Sequence, residues 1–393
     1  MRCPKRKRLC CGNLIWRGRR KRIREFKATA PGRVNLIGEH TDYNQGWVMP
    51  AAIELAMVIQ GRSRSGCEVF AAAKNMEQET VFSLDRLKPP AEAPDWTDYL
   101  KGVCWALKQA GYFLGGADLT IESTIPIGAG LSSSAALELA AAAVLSSLAE
   151  AAIPLPELAR LCQKAENEFV GVRCGIMDQY AVALSRAGQA LLLDCRSLEY
   201  SYIPLELGSC CLMIIDSRVK RSLSASAYNR RREECAEATI LLSRFLGRRL
   251  ESLREVSLDE VREARSILPS RIYRRSRYII EENMRVLKSA EALRSGDLPS
   301  FGYFMTRSHA GLRDLYQVSC SELDLIVETA NATKGVLGAR MTGAGFGGCA
   351  VALLEKSVLE ELSAKLRHAF SRNGWLSPDI YVTSAAPGLQ IGG

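Results

Sequence analysis

Residues 32–44, Gly-Arg-Val-Asn-Leu-Ile-Gly-Glu-His-Thr-Asp-Tyr-Asn, crowd Arg33, Glu39, His40 and Asp42 around two glycines. A loop carrying both donors and acceptors suits a polyhydroxylated ligand such as a sugar, whose adjacent hydroxyls each need a partner once water is excluded. The alternative is a turn whose charges are solvated. Zinc is not expected at His40, because no Cys or His stands at ligand spacing from it.

A second run, residues 126–136, reads Pro-Ile-Gly128-Ala129-Gly130-Leu131-Ser132-Ser133-Ser134-Ala-Ala. Glycines let a backbone approach an anion closely, and three hydroxyls can bond phosphate oxygens or a metal. A helix that starts here points its positive end into the loop. The loop lacks the lysine of a Walker sequence. A serine helix cap is the competing explanation, and it accounts for one serine of the three. A third run, residues 341–349, Met-Thr-Gly-Ala-Gly-Phe-Gly-Gly-Cys, formally matches Gly-x-Gly-x-x-Gly. It leads into a strand-like segment rather than a helix, which fails the context of a dinucleotide fold, and a tight turn packed on another element stays open.

The elements around these runs follow from periodicity and punctuation. Residues 28–50 mix Gly, Pro and polar residues and read as an extended loop, followed by a strand or paired strands over 48–60. Short strands are predicted at 69–73, 80–82 and 118–122, and helices at 95–110, 132–151 and 156–170, with another opening near Asp178. Residues 191–194 and 211–216 read as strands, and the domain boundary is set near 197–208. The second half is read as helices at 225–246, 276–295, 321–333 and 358–373, with strands at 348–354 and 380–384. Residues 386–393 carry no pattern.

Composition limits the function classes. The 393 residues are 47% hydrophobic and 24% charged, which fits an ordinary globular chain of two domains. The most apolar segment, 135–155, is broken by Glu138 and Glu150 and falls short of the roughly 18 apolar residues of a membrane span. No secretory signal pattern precedes it. The net charge of +9 sits at one end. Residues 1–27 hold twelve basic side chains against Glu25 alone, which leaves the rest at a net of about −2. Residues 1–26 are read as a basic disordered extension, either native or the result of a start codon set too far upstream, so no nucleic-acid partner is expected. Thirteen scattered cysteines without a Cys-x-x-Cys pair fit reduced thiols and a cytoplasmic protein.

In this order and spacing, the three runs resemble the small-molecule kinases named for galactokinase, homoserine kinase, mevalonate kinase and phosphomevalonate kinase, the GHMP family, and most nearly its galactokinase branch. The resemblance runs from about Ala28 to the last helix. It implies an α+β fold of two domains: an N-terminal sugar- and ATP-binding domain over 27–200, like ribosomal protein S5 domain 2, and a ferredoxin-like C-terminal domain over 201–393. It implies ATP-dependent phosphorylation of the C1 hydroxyl of D-galactose to galactose 1-phosphate, the first committed step of the Leloir pathway. Kinases for N-acetylgalactosamine or arabinose, and a catalytically inactive sugar sensor, are the alternatives. Thr41–Asn44 and the retained Ser134-Ala135 favour the active galactose enzyme.

The resemblance also assigns roles. Asp178, in Cys-Gly-Ile-Met-Asp-Gln, falls on the catalytic aspartate; it either takes the hydroxyl proton or orients the sugar, and a helix cap is compatible with both. Arg33 falls on the active-site arginine and would stabilise an incipient alkoxide. Glu39, His40, Asp42, Gly175 and Tyr228 would form the sugar pocket. Gly128 to Ser134 would bind the ATP phosphates, with Trp96 and Tyr99 beside the adenine, although their period alone suits core. Ser133 or Ser134 with Glu166 would hold Mg²⁺; an exposed helix position is the other reading of Glu166. The expected partners are galactose and ATP, with no membrane, in a monomer or weak homo-oligomer.

Overall fold

The computed structural model describes residues 24–219 and 224–392. Most of the basic extension therefore lies outside the described residues, while Glu25 and Phe26 already belong to the first strand. The chain begins with β1 (Glu25–Asn35), β2 (Trp47–Val48) and β3 (Pro50–Ser63). Residues 28–35, read from sequence as the start of a loop, are thus a strand. Pro31 and Gly32 hid it, because the ladder to β3 shifts register between Pro31 and Arg33 and the period of two is broken there.

After β4 (Glu68–Ala73) and β5 (Gln78–Ser83), α1 (Trp96–Gln109) opens with a capping box: Asp95 accepts from the Thr97 amide at 2.7 Å, and Asp98 accepts from the Asp95 amide at 3.1 Å. Next come β6 (Ala117–Ser123) and α2 (Ser133–Leu148). α2 is buried on nearly every side, as its Ala and Leu content requires, and lies on β1 and β3. α3 (Leu155–Lys164) does not continue as a regular helix to Val170. Its last turn widens into a π-helical turn over Ala165–Val170, closed by Gly171 in the left-handed region. Such turns displace side chains from regular helical positions and recur at functional sites. α4 (Met177–Leu184), β7 (Gln189–Asp194), β8 (Tyr200–Pro204) and β9 (Cys210–Asp216) complete the first half.

The second half contains α5 (Ser224–Leu246), α6 (Leu258–Glu263), α7 (Ser270–Arg294), α8 (Leu298–Gly311), α9 (Ser321–Asn331), β10 (Val336–Met341), β11 (Cys349–Glu355), α10 (Leu359–Arg372), β12 (Asp379–Thr383) and β13 (Gln390–Gly392). α8 and β10 carry weak signals. α8 opens on Leu-Pro and holds Gly302 where a Cβ would strike the Leu337 carbonyl, so its glycine reflects close packing on β10.

Among the described residues the strands form three sheets, ordered β13-β1-β3-β6-β4-β5, β10-β11-β9-β12 and β2-β7-β8. Two hydrophobic cores result, and the four-stranded sheet is shared between them. Leu212, Ile214, Val351 and Leu353 face the first core, while the alternating Met213, Ile215, Ala350 and Ala352 face the second. Val286, Ala290 and Leu293 of α7 also join the first core, and β13 pairs with β1 at Gly392↔Lys27. Packing therefore crosses residue 200 in several places. Among the described residues no helix is long and apolar enough to cross a membrane.

Candidate active site

A cleft of about 880 Å³ opens where the two halves meet. At its centre Arg33, from the end of β1, meets Asp178, from the first turn of α4. Arg33 Nε donates to Asp178 Oδ1 and an Arg33 terminal nitrogen to Asp178 Oδ2, each at 2.7 Å. The other terminal nitrogen donates to the Gly130 carbonyl at 2.6 Å. Arg33 is 4% exposed, so this bidentate pair is shielded from water on the arginine side. Asp178 does not cap its helix; residue 176 holds that position without a side-chain bond.

One wall is the loop of residues 126–132. Gly128 and Gly130 take φ of 78° and 79°, a region glycine enters freely. Ser133 and Ser134 begin α2, so the free amides of its first turn and its positive dipole end face the cleft. Gly128, Ala129, Gly130, Ser132, Ser133 and Ser134 all line the cleft. Leu131 does not; it is buried, and its carbonyl accepts from the Arg33 amide at 3.1 Å. The serine helix cap suggested by sequence is absent: Ser132 stands at the cap position but bonds no helix amide.

The opposite wall holds Glu39, His40 and Asp42, with Tyr228 reaching over from α5. Glu39 Oε1 accepts from the Gly343 backbone amide at 2.8 Å and Oε2 from the Asn35 side-chain Nδ2 at 2.9 Å, and the fully buried Arg340 pairs with the same carboxylate. Burial pushes the Glu39 carboxyl up, and Arg340 opposes it. The run of residues 341–349 is therefore a tight turn between β10 and β11 that braces the polar loop. His40 is held by the same turn. The Ala344 carbonyl, 3.2 Å from Nε2, can only accept, so Nε2 carries the proton and Nδ1 accepts from Tyr43 OH at 2.9 Å. Burial lowers this imidazole to about 3, so it is neutral, and both nitrogens are engaged within the protein. Asp42 is pushed up to about 6, chiefly by burial, with the Asp178 charge adding to it. Gly175 packs directly on Asp42, and a Cβ there would overlap the carboxylate.

Glu166 enters from the π-helical turn, with 6% of its surface exposed. It is a buried acid, not an exposed helix position. Its carboxyl is pushed up to about 7 by burial and then by Asp178. Among the described residues its partners are the Gln179 amide at 2.8 Å, the Cys174 thiol at 3.3 Å and the Ser134 hydroxyl, and none of these is a cation. Behind it, Glu138 is wholly buried and its Oε1 has no hydrogen-bond partner. An acid-rich recess of oxygen ligands, without a positive partner among the described residues, fits a hard divalent ion such as Mg²⁺.

Tyr99 of α1 lines the cleft. Trp96, one turn earlier, lies outside the lining, and its indole donates to Gln78 Oε1 at 2.8 Å. Among the lining residues that escaped the sequence reading are Asp216 at the end of β9, Arg218 after it, Leu376 before β12 and Asp379 at its start. Arg218 Nε lies 3.6 Å from Asp379. Asp216, ending an apolar strand, was the one available signal.

Comparison with known proteins matches three family descriptions along the chain: "Galactokinase galactose-binding signature" at residues 20–63, "GHMP kinases N terminal domain" at 98–186 and "GHMP kinases C terminal" at 289–372. Galactokinase of Roseiflexus sp. (strain RS-1) is 46% identical over 92% of this chain and 91% of its own length. Galactokinase of Homo sapiens is 42% identical over 93% and 92%. The crystal structure of Lactococcus lactis galactokinase complexed with galactose superposes with a TM-score of 0.89 at 36% identity, covering 93% of this chain and 95% of that one. The mevalonate kinase of Methanococcus jannaschii, 21% identical with a TM-score of 0.65, shares the fold.

Proposed function

The chain belongs to the galactokinase family of GHMP kinases, an ATP-dependent family of sugar kinases, and from that premise we propose that it transfers the γ-phosphoryl group of ATP to the C1 hydroxyl of D-galactose. The observation that carries this reading is the Arg33–Asp178 pair. It is tied on one side to the glycine loop through Gly130 and on the other faces the Glu39–Asp42 wall, so a sugar hydroxyl between them meets a carboxylate, a guanidinium and a phosphate site together.

In this reading the amides of residues 128–134 and the α2 terminus hold the phosphates, with Tyr99 toward the base. Asp42, Glu39, Gly175 and Tyr228 fix the sugar, and His40 contributes ring surface and keeps the loop in shape. As the sugar oxygen bonds phosphorus and the bond to the departing ADP breaks, Asp178 accepts the hydroxyl proton or its hydrogen bond, and Arg33 offsets the charge developing on that oxygen. Glu166 with Ser133 or Ser134 would hold Mg²⁺, which supplies charge neutralisation on the phosphates. The reading includes action in the cytoplasm, where the cysteine thiols stay reduced, as a monomer or weak homo-oligomer.

The test is purified protein with ATP and a panel of galactose, N-acetylgalactosamine, arabinose and glucose, followed by ADP release. Galactose should be turned over best. Turnover of another sugar without galactose, or of none, would overturn the proposal.

A further inference from the structure

Ser132 stands where the backbone calls for glycine. Its φ of 62° and ψ of 44° lie in the left-handed region, which a residue with a side chain occupies against a steric penalty. At the start of a helix a serine usually offsets such a cost by capping, and Ser132 makes no capping bond. Its hydroxyl is turned to Asp178 instead, donating to Oδ2 at 2.6 Å, with 6% of the residue exposed. Strained backbone that persists without a structural return points to function.

The hydrogen bonds on Asp178 are unequal. Among the described residues Oδ2 accepts from both Arg33 and Ser132, while Oδ1 accepts from Arg33 Nε alone. Each carboxylate oxygen has two lone pairs, so the acceptor capacity left on this group is on Oδ1. We propose that Ser132 is a positioning residue for Asp178, its hydroxyl filling Oδ2 rather than binding nucleotide, so that Oδ1 receives the sugar hydroxyl. This rests on Asp178 serving galactose phosphorylation as described above.

Two variants separate the hydroxyl from the strain: Ser132→Ala keeps the strained backbone and Ser132→Gly removes it, while both lose the hydroxyl. Both should lower kcat for galactose by about 10- to 100-fold, the range of a hydrogen bond to a charged group. KM for ATP and the affinity for a fluorescent nucleotide should stay within about twofold of wild type. Thermal midpoints should separate, the Gly variant melting above the Ala variant by roughly 1–2 °C. Loss of activity that tracks the hydroxyl, with stability that tracks the backbone, would support positioning. A kcat within about twofold of wild type in either folded variant would overturn it, and so would weakened nucleotide binding in proportion to the lost rate. Wild-type protein in the same assay distinguishes the two levels. An inactive wild type sinks the galactokinase reading and this inference with it, whereas an active wild type with insensitive variants sinks this inference alone.

Discussion

Arg33 and Asp178 form a two-point ion pair, both contacts 2.7 Å long, that joins the end of β1 to the first turn of α4. The pair needs both partners in their native charge states, because the arginine is buried and its other terminal nitrogen is committed to Gly130. An amide in place of the carboxylate turns one acceptor into a donor facing a donor. Asp178→Asn should therefore cut kcat by about 10²- to 10⁴-fold, the usual loss when a group that handles a proton is removed. Circular dichroism should show the fold retained. Activity near wild type would remove Asp178 from the chemistry.

Gly175 owes its identity to Asp42. Its backbone is ordinary for any residue, but a Cβ would occupy the space of the Asp42 carboxylate. Gly175→Ala should displace Asp42 from the sugar wall and raise KM for galactose about tenfold or more, leaving KM for ATP within about twofold. Equal effects on both substrates would mean that the substitution disturbs the whole cleft.

The three polar and glycine-rich runs announced the walls of the cleft because each is local: the residues that meet are neighbours in sequence. What supports them was less visible. Arg340, buried against Glu39, sits in β10, whose strand signal is weak, and nothing local marks it until Glu282 of α7 and the Asn35 carbonyl of β1 close around it. Three strands of the shared sheet were legible as apolar runs at 211–216, 348–354 and 380–384, but its place between two cores was not, because a strand buried on both faces alternates between two apolar sides and shows no polar period. Asp216 and Asp379 become neighbours only through the β9–β12 ladder, a pairing no local pattern encodes.

Asp42 sets a pH dependence on sugar binding. With its carboxyl pushed up to about 6 by burial, it is a full acceptor only above that pH. In the absence of nucleotide and metal, galactose affinity measured by calorimetry should strengthen as pH rises through about 6 and then level off, and Asp42→Asn should flatten the profile. His40, lowered to about 3, should contribute nothing over this range. A flat wild-type profile from pH 5 to 8 would reject the assignment to Asp42.

Glu166 separates stability from function most sharply. In the folded, metal-free protein its carboxyl is raised from 4.5 to about 7 by burial and the nearby Asp178 charge. The folded state then binds this proton more tightly than the unfolded state, so the group's contribution is greatest at low pH and is lost as pH rises from about 4.5 through 7. Glu166→Gln removes the charge that is costly to bury and keeps an oxygen to accept from Gln179. Without metal at pH 8 the variant should be more stable than wild type by on the order of 1–3 kcal/mol, and the gap should narrow toward pH 5. The same substitution deletes the one carboxylate proposed for Mg²⁺, so kcat should fall by at least about 100-fold and the Mg²⁺ concentration for half-maximal rate should rise. Chemical denaturation at the two pH values and a Mg²⁺ titration of the rate test both halves. A variant that is less stable at pH 8, or one with an unchanged Mg²⁺ requirement, would show that Glu166 is a structural acid and that the metal is held elsewhere.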